Sequence, residues 1–533
     1  MHKEIKEEKK ELNTIPKYKN NTIFYISLIC IITILSRIFC IINTVIWSKV
    51  IKPYKFSNNL LCEEKNGESI LWNMLKCFSY WDGEYFLRLS LNGTEYNYEQ
   101  NHAFFPTLPL IIIYIKKILT KYYVYELTNC VIHILIMLVL NNFFFLIATI
   151  GIFVYSLIHF KNENYDLHEF KISSRKQHNC YYSYKINNVK ESYRFSFFIS
   201  ILYAFSIGNI HASSFYNESI FSCFSIWGFN FLQLCLYSQK KKKQEKKIYI
   251  YEILCILCFA ICSFFRSNGI LFLIPVFFFN IQSCELFQKY LQEVPKKDKG
   301  KSETMILFNH FNNKFKLLTF IIHWIKALIE AIIIVLPFFI FQLYAYNLYC
   351  TEKNELLKEE NKKFYVFFFN LFKDPNKYVN MWNNKKSLLI NRPWCNNIFP
   401  FIYNYIQYKY WDVKIFKCLF SPNFNILYSA PVYFISFHCI YTFIKKNKCT
   451  YNKLSLLNHH LWGDVIHLFV LSLYILLCAH TEIILRLIIS CPMFYLHYGY
   501  LLRYFEKWNY LFFINLLYFF VGPALFGTYI AWT

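Results

Sequence analysis

The sequence predicts an all-α polytopic integral membrane protein with about eleven transmembrane helices and two large luminal loops. Three observations carry that prediction. The 533 residues are 56% hydrophobic and 21% aromatic. Stretches such as 23–47, 130–158, 317–349 and 510–532 are long enough to cross a hydrocarbon core of about 30 Å, which takes about 20 residues of helix. The basic residues collect between those stretches, as in QKKKKQEKK at 239–247 and KKDKGK at 296–301. Lipid offers no partner to backbone N–H and C=O groups, so the spans must be helices.

The formal net charge of +24, from 57 Lys+Arg against 33 Asp+Glu, would suggest nucleic acid on a soluble chain. Placed in connections between spans, the same charge reads as topology, because cytoplasmic loops accumulate Lys and Arg. No nucleic-acid partner is expected. The 19 Cys are scattered singly and often within spans. Neither a zinc spacing nor a compact disulfide framework stands out, and most read as small buried apolar residues.

The elements follow in order. Residues 1–22 are a charged tail, expected in the cytosol, and 23–533 form one membrane-embedded domain. The first span, 23–47, has no small-residue cleavage site after it and reads as an uncleaved signal anchor. Residues 48–106 make a first luminal loop, and 107–121 is apolar but short enough to be juxtamembrane or re-entrant. Span 130–158 returns to a cytosolic low-complexity loop, 159–194. Two tight pairs follow, 195–212 with 219–237 and 249–265 with 270–284, before a basic cytosolic loop at 285–316. Span 317–349 leads to a second luminal loop, 350–422, and 425–444, 464–480, 483–502 and 510–532 complete the count. Residues 365–372 are apolar enough to dip into the membrane. The sequons at Asn92 and Asn217 fall on the expected luminal side, and that at Asn20 on the cytosolic side.

Four polar constellations stand against this background. In Tyr80-Trp81-Asp82-Gly83-Glu84-Tyr85-Phe86, a short interfacial helix ending at Gly93 would place aromatic rings at headgroup depth. Asp82 has two open readings: a first-turn residue that caps the helix, or a partly desolvated carboxylate with a raised pKa that acts as a base. Glu99-Gln100-Asn101-His102 offers donors and acceptors suited to sugar hydroxyls beside Phe104 and Phe105, and is equally readable as a plain polar loop. Arg392 beside Trp394 suits a phosphate, or belongs to a loop that ties helices together. Arg37, Arg266, and Glu482 with Arg486 place charge in or against the membrane, where it marks cavities by default. Glu482 and Arg486 are spaced to pair with each other at i,i+4.

These pieces together resemble the PIG-V family, glycosylphosphatidylinositol (GPI) mannosyltransferases that add the second mannose. The resemblance rests on WDGEYF and EQNHAFFP, on Ser36-Arg37, Phe215 to Ser219, Arg266 to Gly269, Arg392 to Cys395, Tyr403 to Gln407 with Tyr410-Trp411, Pro422 to Phe424, Arg486 before Pro492, and Trp532-Thr533. It spans nearly the whole chain, with Lys- and Asn-rich insertions at 159–194, 285–316 and 350–390. Gly93-Thr94 stands where the family has a glycine-tyrosine pair.

The resemblance implies a GT-C type helical bundle in the endoplasmic reticulum membrane. It implies α-1,6 transfer of mannose from dolichyl-phosphate mannose to the first mannose of the GPI precursor, on the luminal side and with inversion. Asp82 is then the expected base and Glu84 a second candidate. Arg392, Arg37 and Arg266 are candidates for the donor phosphate, and Trp81, Glu99, Gln100, His102, Trp394 and Gln407 for other substrate contacts. The chemistry calls for no cofactor and no metal. A small accessory membrane subunit is a further expected partner. A polyprenyl-sugar transporter or flippase, a GT-C enzyme acting on another lipid-linked glycan, and a membrane scaffold are the alternative readings.

Overall fold

The computed structural model describes residues 2–51, 62, 70–122, 128–173, 189–240, 245–284, 314–350, 362–376, 392–416, 425–450, 459–504 and 506–530. Among them the regular structure is helical, with one isolated antiparallel bridge between Glu95 and Lys363. Pro422 to Phe424 and Trp532-Thr533, both part of the family resemblance, lie outside the described residues, as does nearly all of the 285–316 loop.

Helices appear along most of the apolar segments, but 205–212 of the expected 195–212 span is irregular, and fewer helices qualify as spans than the eleven expected. Among the described residues, seven are long and apolar enough to cross a membrane: 21–50, 129–160, 218–239, 246–265, 317–349, 425–445 and 509–527. An eighth counts if a bent pair is taken as one. The difference has a physical origin. The helices Val189–Ala204, Ser267–Ser283 and Trp462–Cys478 hold 16 or 17 residues, short of the roughly 20 that span alone. The expected 483–502 span is broken at Cys491, where Pro492 forces extended backbone (ψ 94°) on the preceding residue. Its two arms, Thr481–Ser490 and Pro492–Tyr504, meet at 96°. Asn129–Ser173 runs unbroken.

The interfacial elements follow the sequence closely. Thr107–Tyr122 is a 16-residue helix, and Phe364–Lys373 is a 10-residue helix with Phe369 and Phe372 exposed. Both are too short to span. Asp82–Leu91 is the expected short helix. Gly93 ends it at φ 67°, a left-handed conformation that glycine adopts without cost. Thr94 follows at φ 63° and its N–H closes onto Leu89 O at 2.8 Å.

The bundle packs Glu218–Lys240 between Asn129–Ser173 and Glu245–Phe265. Gly228 lets that last pair approach closely, since a Cβ there would lie 2.5 Å from the Phe259 ring. The first helix, His2–Val50, lies against the last, Asn509–Gly527. Between Ala204 and Glu218 the chain is irregular yet buried. Backbone at membrane depth needs internal partners, and side chains supply them. Asn141 donates to Ser214 O and Tyr216 O at 2.7 and 3.0 Å, while Phe215 N donates to Phe78 O at 2.8 Å.

The cysteines divide differently from expectation. Most of the free ones are buried in the bundle, but Cys62–Cys130 and Cys350–Cys395 form disulfides. Their spacings of 68 and 45 residues are why no compact framework is visible in the sequence. Each pins one of the two long loops, and the second closes beside Arg392 and Trp394. Cys395→Ser is expected to cost about 2–4 kcal/mol by releasing that loop, read as a lower thermal midpoint in detergent. A midpoint equal to wild type would show that the loop is held by other contacts.

Candidate active site

The turn that delivers Asp82 is strained. Trp81 sits at φ 58°, a conformation that costs a bulky residue roughly 1–3 kcal/mol. Its indole stacks on Tyr529 at 4.5 Å and 8°, so the last helix and the first loop hold the turn between them. Asp82 is therefore the first residue of its helix, and no side chain caps that helix. Its backbone N–H donates instead to the Tyr216 hydroxyl at 3.2 Å, and that hydroxyl donates to Tyr80 O at 3.4 Å.

The Asp82 carboxylate belongs to a charged chain reaching into the bundle. Arg486 Nη1 donates to Asp82 Oδ2 at 2.7 Å, and Arg486 Nε and Nη2 approach Glu218 Oε1 at 2.9 and 2.7 Å. Arg266 reaches the same Glu218 oxygen. The Arg486 guanidinium lies 4.6 Å over the Tyr216 ring. The four groups balance, two acids against two bases. Their exposure divides their roles: 28% of the Asp82 side chain is accessible and 20% of Arg266, against 7% for Arg486 and 2% for Glu218. Asp82 and Arg266 are open to the surface, and the other two hold them.

Arg486 and Glu218 were not among the expected site residues. Arg486 was expected to pair with Glu482 at i,i+4, a spacing that serves a regular helix. The backbone from Thr481 is 3-10 before it becomes α at Ile484. Glu482 lies instead 4.0 Å from His480 Nδ1. Glu84, the second candidate acid, pairs with Arg88 at 3.3 Å.

The second loop meets the first in a polar cleft of about 320 Å³. Tyr98, Glu99, Gln100, Tyr349, Arg392, Tyr405 and Lys409 are among its lining residues. Arg392 Nη1 reaches Glu99 Oε1 at 2.5 Å, and Trp394 Nε1 donates to the same oxygen at 3.1 Å. Arg392 also lies 4.4 Å over the Tyr349 ring. Tyr85 links the two regions, stacking on Phe104 at 4.5 Å one turn after Asp82, with Trp411 at 6.4 Å.

Several expected substrate contacts are occupied within the protein. Arg37 is buried in the first helix and donates to Asn209 O at 2.9 Å and Ala204 O at 3.2 Å. It clamps the irregular segment rather than facing a ligand. Trp394 is 1% exposed and orients Glu99. His102 is fully buried between the Tyr96 ring at 4.4 Å and Phe341 at 5.4 Å, and burial lowers its pKa to about 3. Gln407 is partly exposed on the Ile402–Lys409 helix but does not line the cleft. Asn217 is buried with its amide on Phe265 O at 2.8 Å, so its sequon cannot carry a glycan.

Comparisons with known proteins give the family. Residues 26–169 and 178–532 match the family described as Mannosyltransferase (PIG-V). The chain is 24% identical over 457 residues to the Homo sapiens GPI alpha-1,6-mannosyltransferase 2, covering 82% of this chain and 75% of that one. It is also 24% identical to the GPI mannosyltransferase 2 of Drosophila pseudoobscura pseudoobscura, over 88% of this chain and 90% of that one. Among solved structures, the apo Archaeoglobus fulgidus oligosaccharyltransferase aligns with a TM-score of 0.38 at 9% identity, over 92% of this chain. The chain spans about half the length of that protein, 55%. The same coverage and TM-score hold for the complex of that enzyme with an inhibitory peptide and a dolichol-phosphate. This is a membrane-embedded glycosyltransferase. The chain belongs to the PIG-V mannosyltransferase family, which decides for an enzyme among the readings left open by the residues.

Two predictions come from this geometry. Arg486→Met leaves Glu218 buried with less compensation and should destabilise the fold by about 3–5 kcal/mol. Arg486→Met with Glu218→Gln should recover part of that loss, measured as thermal midpoints in detergent; strictly additive losses would mean that the two residues do not share one network. His102 is neutral when folded and free to protonate when unfolded. Its buried state is therefore uncharged at no penalty above a pH of about 6.5 and loses stability as pH falls from there toward about 3. At a pH of about 5 the deficit is about 2 kcal/mol, and His102→Phe should flatten the acid-side fall in midpoint. An unchanged slope would contradict the burial.

Proposed function

We propose that this chain transfers the second mannose in GPI-anchor synthesis. It moves mannose in α-1,6 linkage from dolichyl-phosphate mannose to the first mannose of the GPI precursor, on the luminal side of the endoplasmic reticulum membrane. The observation that carries the reading is the reachable Asp82 carboxylate, fixed by the buried Arg486 guanidinium. Family membership and the GPI mannosyltransferases it resembles support the choice of reaction. The luminal placement is supported by the two disulfides, one on each long loop of the Asp82 face, because disulfides persist in oxidising compartments. We also read the whole of residues 23–533 as one GT-C type unit.

In an inverting displacement the acceptor 6-hydroxyl attacks C1 of the donor mannose as the bond from C1 to the dolichyl phosphate oxygen breaks. Asp82 takes the hydroxyl proton, and the phosphate leaves with its negative charge. A leaving phosphate needs positive charge more than a protonating acid. Arg266 fits that need, since it is reachable and tied through Glu218 to the same network. Arg392 is engaged by Glu99, so the cleft around them suits a neutral glycan: a carboxylate and an amide for hydroxyls, and tyrosine rings for sugar faces. Glu99 and Gln100 are assigned to the acceptor. Glu84 is assigned to helix stability through Arg88.

Asp82→Asn should leave the protein folded and lower the rate of mannose transfer by about 10²–10⁴, measured as elongation of the one-mannose GPI precursor in microsomes. Normal elongation would overturn the assignment of the base. Glu99→Gln should raise the acceptor KM while leaving kcat within a few-fold. A loss confined to kcat would move Glu99 from acceptor binding to the chemistry.

A further inference from the structure

At the end of the bundle opposite Asp82 a second cavity, of about 510 Å³, opens between the start of Val189–Ala204 and the end of Pro492–Tyr504. Lys190, Glu191, Arg194, Phe195, Phe198 and Arg503 line it. Its distance from the chemistry follows from the two helices. Ala204, where the first of them ends, accepts from Arg37 just before the segment that carries Tyr216 to Asp82. Lys190 lies 14 residues earlier, about 21 Å along the axis. Arg503 stands at the far end of its helix from Pro492, whose preceding arm carries Arg486. The cavity and the active site therefore belong to opposite leaflets.

Lys190, Arg194 and Arg503 line this cavity together with one acid, Glu191, which is paired with Arg503. The arrangement is ordered. Arg503 is tied to Glu191 and stacks 4.7 Å over the Phe195 ring and 5.6 Å from Tyr504. Arg194 lies one helical turn after Lys190 and has no ion-pair partner among the described residues. Phe195 and Phe198 give the cavity an apolar wall, and Val189 and Tyr504 are exposed at 46% and 44% on the same end. Cations above an aromatic wall with an exposed tyrosine mark the depth at which headgroups lie.

We propose that this cavity binds the phosphate of an acidic glycerophospholipid in the leaflet opposite the active site. The phosphate pairs with Arg194, the cation that Glu191 does not engage, and the acyl chains leave along the Phe195 and Phe198 side. The site is separate from the reaction proposed above, and none of its residues touches the Asp82 network. A soluble phosphate would use the same cations, so the source has to be distinguished by experiment.

The test places the purified full chain in nanodiscs of phosphatidylcholine with and without phosphatidic acid, and reads lipid retained in native mass spectrometry together with the thermal midpoint. Wild type should retain phosphatidic acid over phosphatidylcholine and gain midpoint from it. Arg194→Gln, an exposed position whose loss does not threaten folding, should weaken retention about fivefold. Arg503→Lys keeps the charge but loses the stacked guanidinium, and should weaken it less. Equal retention by wild type and Arg194→Gln would overturn the site. If inorganic phosphate raises the wild-type midpoint but not that of Arg194→Gln, and lipid shows no preference, the lipid as occupant is overturned.

Discussion

A guanidinium buried as deeply as that of Arg486 loses several kcal/mol of hydration, which is offset only when opposite charge and good hydrogen-bond geometry surround it. Asp82 and Glu218 supply both. This one contact joins three parts of the chain that are far apart in sequence: the first loop, the start of Glu218–Lys240, and the short arm before Pro492. Removing Arg486 or Glu218 strands charge in the bundle. The position of Asp82 is therefore set by the core, although Asp82 itself faces the outside.

The same requirement explains why the fold is irregular where it is. An Arg486 on a straight span would point along a continuous helix; the 96° break at Cys491 instead turns its arm across the bundle. The Ala204 to Glu218 connection stays buried without being helical because Arg37, Asn141 and Phe78 satisfy its carbonyls and amides. That connection in turn holds Tyr216 against Asp82 on one side and Arg486 on the other. Thr533 is outside the described residues, but Tyr529 shows that the last helix also contributes, by holding Trp81 in its strained turn.

Much of this architecture was legible in the sequence because its signals are local. Apolar length gives the helices, Gly93 gives the end of Asp82–Leu91, and WDGE flags Asp82 by placing charge among aromatics. What was not legible depends on contacts over 268 and 404 residues, the separations of Arg486 from Glu218 and Asp82. A regular helix would have paired Arg486 with Glu482, and only the 3-10 backbone from Thr481 redirects it. The polar cleft was half legible. Glu99 and Arg392 both drew attention, but their mutual pairing and the burial of His102 and Trp394 are tertiary facts. Each chemically suited side chain reads alike in sequence whether it faces a ligand or a neighbour.

The arginines show how burial sorts residues of equal chemistry. Arg37, Arg266 and Arg392 all suit a phosphate by type. Arg37 spends its donors on backbone carbonyls inside the bundle, so drawing it toward a ligand would release the Ala204 to Glu218 connection and with it Tyr216. Arg392 is bound by Glu99 and packed on Tyr349, and a phosphate there would face a carboxylate at hydrogen-bond distance. Arg266 shares its carboxylate with Arg486, so Glu218 alone does not neutralise both cations. Asp82 completes the balance through Arg486, and of the two guanidiniums that of Arg266 is the more accessible, at 20% against 7%.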